Sequence, residues 1–230
     1  MKTTNKLRLP GIAGIVLALM MVVAFGLDFA IIATTGGDPA FNLANIGPDL
    51  LRAQSSVIWP VETWVYALMI VPFSVFALGV YWVLRTENDK GLPAIGVVTT
   101  LIFWMFSTLH NAAILTVLQV FVPSYAAGHP AATSIEVSAR GLLNFGNTLF
   151  TPGGGVGTLL LVIGMAVIGR ATLTGGQLPR GTGNLAIACA AFSLLGYLQY
   201  VSSALFFLGL IGWVFYIIWI TWVAIRLLRA

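Results

Sequence analysis

Six stretches of this chain are too long, too apolar and too nearly free of charge to belong to a fold made in water. In residues 11–34 the one charged side chain is Asp28, and in residues 60–84 it is Glu62. Residues 93–122, 141–169, 184–201 and 204–225 contain no Asp, Glu, Lys or Arg. A helix needs roughly 20 apolar residues to cross a hydrocarbon core about 30 Å thick. The six runs therefore predict an all-α integral membrane protein, a six-transmembrane-helix bundle in one domain over residues 1–230. Only 8% of residues are charged and 59% are hydrophobic, against roughly 25% charged in soluble domains. Lipid must cover most of such a surface.

The basic residues orient the bundle. With the N-terminus in the cytoplasm, only Arg52 and Arg140 of the 11 Lys and Arg fall outside. Lys2, Lys6, Arg8, Arg85, Lys90, Arg170, Arg180, Arg226 and Arg229 fall inside, as the positive-inside bias requires. Both termini are then cytoplasmic, and the net charge of +4 needs no nucleic-acid partner. The expected location is a cell membrane, specifically a bacterial cytoplasmic membrane, with lipid as the obligatory partner. The first run is too long for a signal-peptide core and is read as an uncleaved helix. Trp59, Tyr81, Trp82 and Tyr125 sit near span ends, where interfacial anchors occur. Cys189 lies in an apolar run and reads as a small buried hydrophobe.

The two longer outer loops each contain a structured stretch. Residues 35–59 hold Gly36, Gly37, Pro39 and Pro48, then an amphipathic segment from Asp49 to Ile58. Its Leu50, Leu51, Val57 and Ile58 are expected to cap the bundle or lie on the membrane surface. In residues 123–140 a helix start is expected at Thr133 or Ser134, with Glu136 in the first turn.

The fourth run contains Thr151-Pro152-Gly153-Gly154-Gly155-Val156-Gly157. Proline removes a helix hydrogen bond, and each glycine costs about 1 kcal/mol relative to Ala. A kink or break is expected across residues 152–157. Broken helices build substrate sites in some transporters, and elsewhere are simply places of close packing.

Polar side chains within the runs are the candidates for function, because burying an ionisable group costs about 2.5–3.5 kcal/mol on insertion scales. At 1.5 Å per residue, Asp28 lies about 25 Å along the first helix and His110 about 22–25 Å along the third. Glu62 starts the second, Asn144 and Asn147 start the fourth, and Tyr197, Gln199 and Tyr200 end the fifth. All fall in the outer half. Ser107, His110 and Asn111 share one helix face. The candidate site is an outward-facing polar pocket lined by Asp28, Glu62, Ser107, His110, Asn111, Asn144 and Asn147. The same residues also make sense as interhelical hydrogen-bond donors and acceptors.

Several chemistries lack their residues. There is no P-loop, no G-x-S-x-G elbow and no lysine within a span. His110 is the one histidine within a span, so bis-histidine haem ligation cannot be built, and no paired-histidine spacing suggests a metal. The sequence names no cofactor.

The basic N-terminus leading into Gly11-Ile12-Ala13-Gly14-Ile15, the longish outer loop after it, Gly176-Gln177-Leu178-Pro179-Arg180 and Gly196-Tyr197-Leu198 resemble an uncharacterised family of bacterial six-helix membrane proteins, a domain of unknown function. The resemblance spans most of the chain and implies the architecture alone.

Three functions fit. The first is binding a small or lipid-like molecule in the outer pocket, for transport, sensing or an accessory role. The second is an intramembrane hydrolase pairing Asp28 or Glu62 with His110 as acid and base. The third is a structural subunit, in a homo-oligomer or with another membrane protein. Residues 1–115 and 116–230 show no internal repeat of the kind that builds many carriers.

Overall fold

The computed structural model describes residues 4–36, 40–85, 91–151, 154–175, 178–202 and 205–229. Lys2, Gly37, Pro39, Lys90, Pro152, Gly153, Gly176 and Gln177 lie outside them. The described chain is helical: α1 (Thr4–Thr35), α2 (Ile46–Gln54), α3 (Ile58–Leu68), α4 (Ile70–Leu84), α5 (Gly91–Thr116), α6 (Val122–Ser124), α7 (Ala132–Leu149), α8 (Gly155–Gly175), α9 (Arg180–Leu195) and α10 (Phe206–Arg229). No strand occurs among the described residues; one isolated bridge joins Thr151 and Gly154.

Six helical segments are long and apolar enough to cross a membrane: Leu7–Thr35, Ile58–Leu84, Gly91–Ser124, Gly155–Gly175, Arg180–Gln199 and Phe207–Arg229. The second comprises α3 and α4, which meet at Met69. Pro72 has no N–H to give the Leu68 carbonyl, and the helix is interrupted at that level. The third continues from α5 through a π-helical turn, Val117–Phe121, into α6, just ahead of Pro123. The expected span over residues 141–169 divides in two. Its first part belongs to α7, an 18-residue helix with polar residues scattered along it, and the apolar crossing begins at Gly155.

The spans pack in sequence order and the last closes on the first: α1 on α3 and α4, these on α5, then α8, α9 and α10, which returns to α1. Small residues set the approach. A Cβ on Gly169 of α8 would lie 2.9 Å from the Gly183 carbonyl of α9, and one on Gly183 would lie 3.1 Å from the Gly169 carbonyl. Lipid tails are as apolar as leucine, so such contact-distance packing is what holds membrane helices together. Inside the ring, Phe73, Phe76, Phe103, Trp104, Tyr216 and Trp219 form one aromatic cluster. Trp104 Nε1 donates to Tyr216 Oη at 3.0 Å, so the indole is buried with its proton used. Cys189 is fully buried, 4.0 Å from Ser193 Oγ.

The basic side chains gather at one end of this ring. There, Gly11 and Pro10 of α1 meet Leu228 and the end of α4, and the end of α8 meets the starts of α5 and α9. Arg8, Arg85, Arg170, Arg180, Arg226 and Arg229 all lie at these helix ends. Arg85 folds over the exposed Trp82 ring, 3.3 Å from its centroid.

At the opposite end a second hydrophobic cluster caps the bundle. Ile46, Leu50 and Ala53 of α2 pack with Ile31, Phe41, Trp59, Val117, Val122, Tyr125, Ala139 and Leu143. Leu50 is thus a cap residue, whereas Leu51 and Val57 point outward, Val57 at 81% exposure. Trp59, expected as an interfacial anchor, is buried at 1%. Helix α7 starts at Ala132 with no side-chain cap. Ser134 turns its hydroxyl to the Ala131 carbonyl, and Glu136 accepts from Tyr125 Oη at 2.6 Å. The helix thus begins within two residues of the expected start. That hydrogen bond, first among its causes, raises the pKa of the Tyr125 phenol.

Replacing Gly169 with Val should overpack the α8–α9 contact and destabilise the detergent-solubilised protein by about 1–3 kcal/mol. Gly26, which has nothing within 4 Å, is the control: Gly26→Ala should not lower the thermal midpoint.

Candidate functional site

The structure brings Asp28 and Glu62 together. Asp28 lies two turns before the end of α1, about 10 Å from it. Glu62 lies one turn into α3 and is 7% exposed. Tyr66, one further turn along α3 and so on the same face, donates its hydroxyl to Asp28 Oδ2 at 2.9 Å. Tyr66 thus brings Asp28 to the face of α3 that carries Glu62. The buried Thr63 hydroxyl lies 3.1 Å from Glu62 Oε2 and 2.9 Å from the Trp59 carbonyl. Two carboxyl groups and two hydroxyls thus converge between α1 and α3, in the half of the bundle away from the arginine-rich end.

The other sequence candidates occupy different settings. Ser107 and Asn111 are buried on α5, and Asn111 Nδ2 donates to the Ser107 carbonyl at 2.8 Å, back onto its own helix. Thr108, between them, donates to the Ala67 carbonyl at 3.3 Å and ties α5 to α3. His110 turns toward α7. Its Nδ1 is buried against Gly146 without a hydrogen bond of good geometry, and its ring meets Phe150 edge-on at 5.5 Å. Asn144 is exposed on α7 and Asn147 is half-buried. Their backbone carbonyls accept from the Thr148 and Thr151 hydroxyls.

Between α7 and α8 the backbone is not left bare. Hydrocarbon provides no hydrogen bonds, so free carbonyls at this level need partners from the protein. Thr151 Oγ1 donates to the Asn147 carbonyl at 2.9 Å, and Thr158 Oγ1 to the Thr151 carbonyl at 3.1 Å. Tyr197, at the end of α9, donates to the Gly155 carbonyl at 2.5 Å. Gly155 has φ +71°, and a Cβ there would lie 3.1 Å from the Phe150 backbone.

Sequence reasoning did not find Tyr66 or Thr63 as members of the carboxyl group. The i, i+4 spacing of Glu62 and Tyr66 was the signal available. A small cavity elsewhere in the bundle is lined by apolar groups such as Phe73, Phe76, Val97 and Trp219, toward the arginine-rich end. Among the described residues no three His, Cys, Asp or Glu converge to hold a metal.

No protein-family model, no curated protein and no solved structure matches the chain.

Gly155→Ala should destabilise the protein by about 1–2 kcal/mol, the cost of a left-handed backbone for a residue with Cβ. Tyr197→Phe should lower stability as well. Thermal unfolding in detergent measures both.

Proposed function

We propose that this chain is a multi-pass protein of the bacterial cytoplasmic membrane, with cytoplasmic termini, that binds a small or lipid-like molecule in its outer half. The carboxyl pair of Asp28 and Glu62 is the centre of the site, with Tyr66 and Thr63 as its hydroxyl partners. One observation carries the reading: two acidic side chains on different helices, Glu62 buried and Asp28 half-buried, come together through Tyr66 in an otherwise apolar bundle. If helix cohesion were the only need, a neutral hydroxyl or amide at either position would supply an interhelical hydrogen bond at a far lower desolvation cost. A pair of carboxyl groups adds what neutral groups lack, the capacity to accept a proton or to hold the cationic or hydroxyl end of a ligand. The remainder of the ligand would lie against the apolar helix faces, as in most small-molecule sites.

The orientation is supported by the grouping of Arg8, Arg85, Arg170, Arg180, Arg226 and Arg229 at one end and by Arg52 and Arg140 at the other. It places the carboxyl pair toward the exterior.

Two measurements test this. Native mass spectrometry of the protein purified in mild detergent should reveal a co-purified small molecule or specific lipid. Asp28→Asn and Glu62→Gln should each reduce its occupancy by about tenfold or more while the protein stays folded. Unchanged occupancy in both variants would exclude the carboxyl pair as the site. For orientation, a cysteine replacing the exposed His129 in a Cys189→Ala background should react with an impermeant thiol reagent in intact cells. A cysteine replacing Arg229 should react only after lysis.

A further inference from the structure

The connection between α1 and α3 closes over the outer side of the Asp28–Glu62 pair. One turn outward from Asp28 on α1 is Ile31, and one turn outward from Glu62 on α3 is Trp59; both are almost fully buried. The same short segment covers them. Phe41 stacks on Trp59 with ring centroids 4.6 Å apart, and Ile46 and Leu50 of α2 complete the cluster. Arg52, paired with Asp49 at 3.2 Å, holds its guanidinium 5.2 Å from the centre of the Trp59 ring.

Among the described residues, Gln54 ties this cover to the third span. Gln54, the last residue of α2, donates through Nε2 to the Val122 carbonyl at 2.8 Å and the Tyr125 carbonyl at 2.6 Å. These carbonyls lie at the outer end of the third span, on two residues buried in the same cluster. Gly47 sits against the Tyr125–Glu136 hydrogen bond, where a Cβ would fall 2.6 Å from Tyr125 Oη. Gly36, at φ +68°, follows α1, and Ser55 and Ser56 lie between α2 and α3. The two helices the segment joins are the two that carry the carboxyl groups.

We propose that residues 40–57 are a lid that gates access from the exterior water to the Asp28–Glu62 pair, with Gln54 as its latch. The proposal rests on the reading of that pair as the ligand site and adds how the site is opened. Release of the two Gln54 hydrogen bonds frees α2 from the end of the third span while its links to α1 and α3 persist. Phe41 then leaves Trp59, and water or ligand reaches the carboxyl groups from outside. The lid is shut in this structure.

The test uses the full chain in liposomes and two carbodiimides, with modification of Glu62 and Asp28 read by mass spectrometry. Dicyclohexylcarbodiimide enters through the bilayer and reaches the pair whether or not the lid is shut. A water-soluble cationic carbodiimide must pass the lid. In the native chain the lipid-soluble reagent should modify the pair and the water-soluble one should be slow. Gln54→Ala should speed the water-soluble reagent by about tenfold or more, as expected when a minor open state becomes a major one, and leave the lipid-soluble rate unchanged. In a Cys189→Ala background, Gln54→Cys with Ser124→Cys, joined by a short bis-methanethiosulfonate, should return the water-soluble rate to the native level. Reducing the bridge should restore the fast rate. If Gln54→Ala and the bridged protein both react at the native rate, there is no lid. If neither reagent modifies Glu62 or Asp28 in any variant, the reading of the pair as a protonatable site falls, and the lid falls with it.

Discussion

Hydrocarbon makes no hydrogen bonds, and this single property of the surrounding solvent shapes most of the molecule. It forces the crossing segments to be helical, because a helix satisfies its backbone within itself. It also removes the usual hydrophobic gain on packing one helix against the next, so the bundle relies on close contacts such as Gly169 against Gly183. Where a helix stops inside the bundle, side chains take over: Thr151, Thr158 and Tyr197 supply hydroxyls to the carbonyls of Asn147, Thr151 and Gly155. The same constraint makes a pair of embedded carboxyl groups conspicuous. The hydroxyls of Tyr66 and Thr63 stand in for some of the water they have lost.

Six crossings were legible in the sequence because their signal is additive. Each sums the hydropathy of many residues, and one misjudged position changes little. Five of the six apolar helical segments lie within a few residues of the expected runs. The run 141–169 was harder because α7 contains enough leucine and phenylalanine to merge with α8 in a linear reading. Its polar positions, Ser138, Asn144, Asn147 and Thr148, occupy one flank of a helix that packs on α5 rather than forming a full crossing. Periodicity within that window, more than its average, held the information. The helix start expected at Thr133 or Ser134 lies within two residues of the observed start at Ala132, but no side chain caps it. Glu136 is engaged by Tyr125 from the loop, a contact between residues 11 apart that no local capping rule anticipates.

The candidate site was legible only in part. Depth along each helix correctly gathered the polar side chains into one half of the bundle, because depth depends on counting residues. Which of them touch depends on helix rotation, and that is set by packing. Asp28 and Glu62 meet because α1 and α3 present those faces to each other. His110 faces Gly146 instead, since the missing side chain there lets α7 come close to α5. Asn111 spends its donor on the Ser107 carbonyl of its own helix. A face shared by Ser107, His110 and Asn111 on a helical wheel therefore did not amount to a shared partner.

The two ends of the bundle divide the work. At the arginine-rich end the helices meet through small residues and apolar side chains, and Arg85 lies over Trp82 where a cation and an indole suit a headgroup region. At the other end a separate hydrophobic cluster is built from two loop segments and the tips of several helices. A bundle needs no second core to stay in a membrane, since lipid already satisfies the apolar flanks. The cap buries Ile31 and Trp59, and one turn beneath them lie Asp28 and Glu62. Excluding water there strengthens every electrostatic contact the pair makes. On the proposed reading the same seal isolates the pair, so a ligand reaches it only when the cap that Gln54 ties to the end of the third span moves aside.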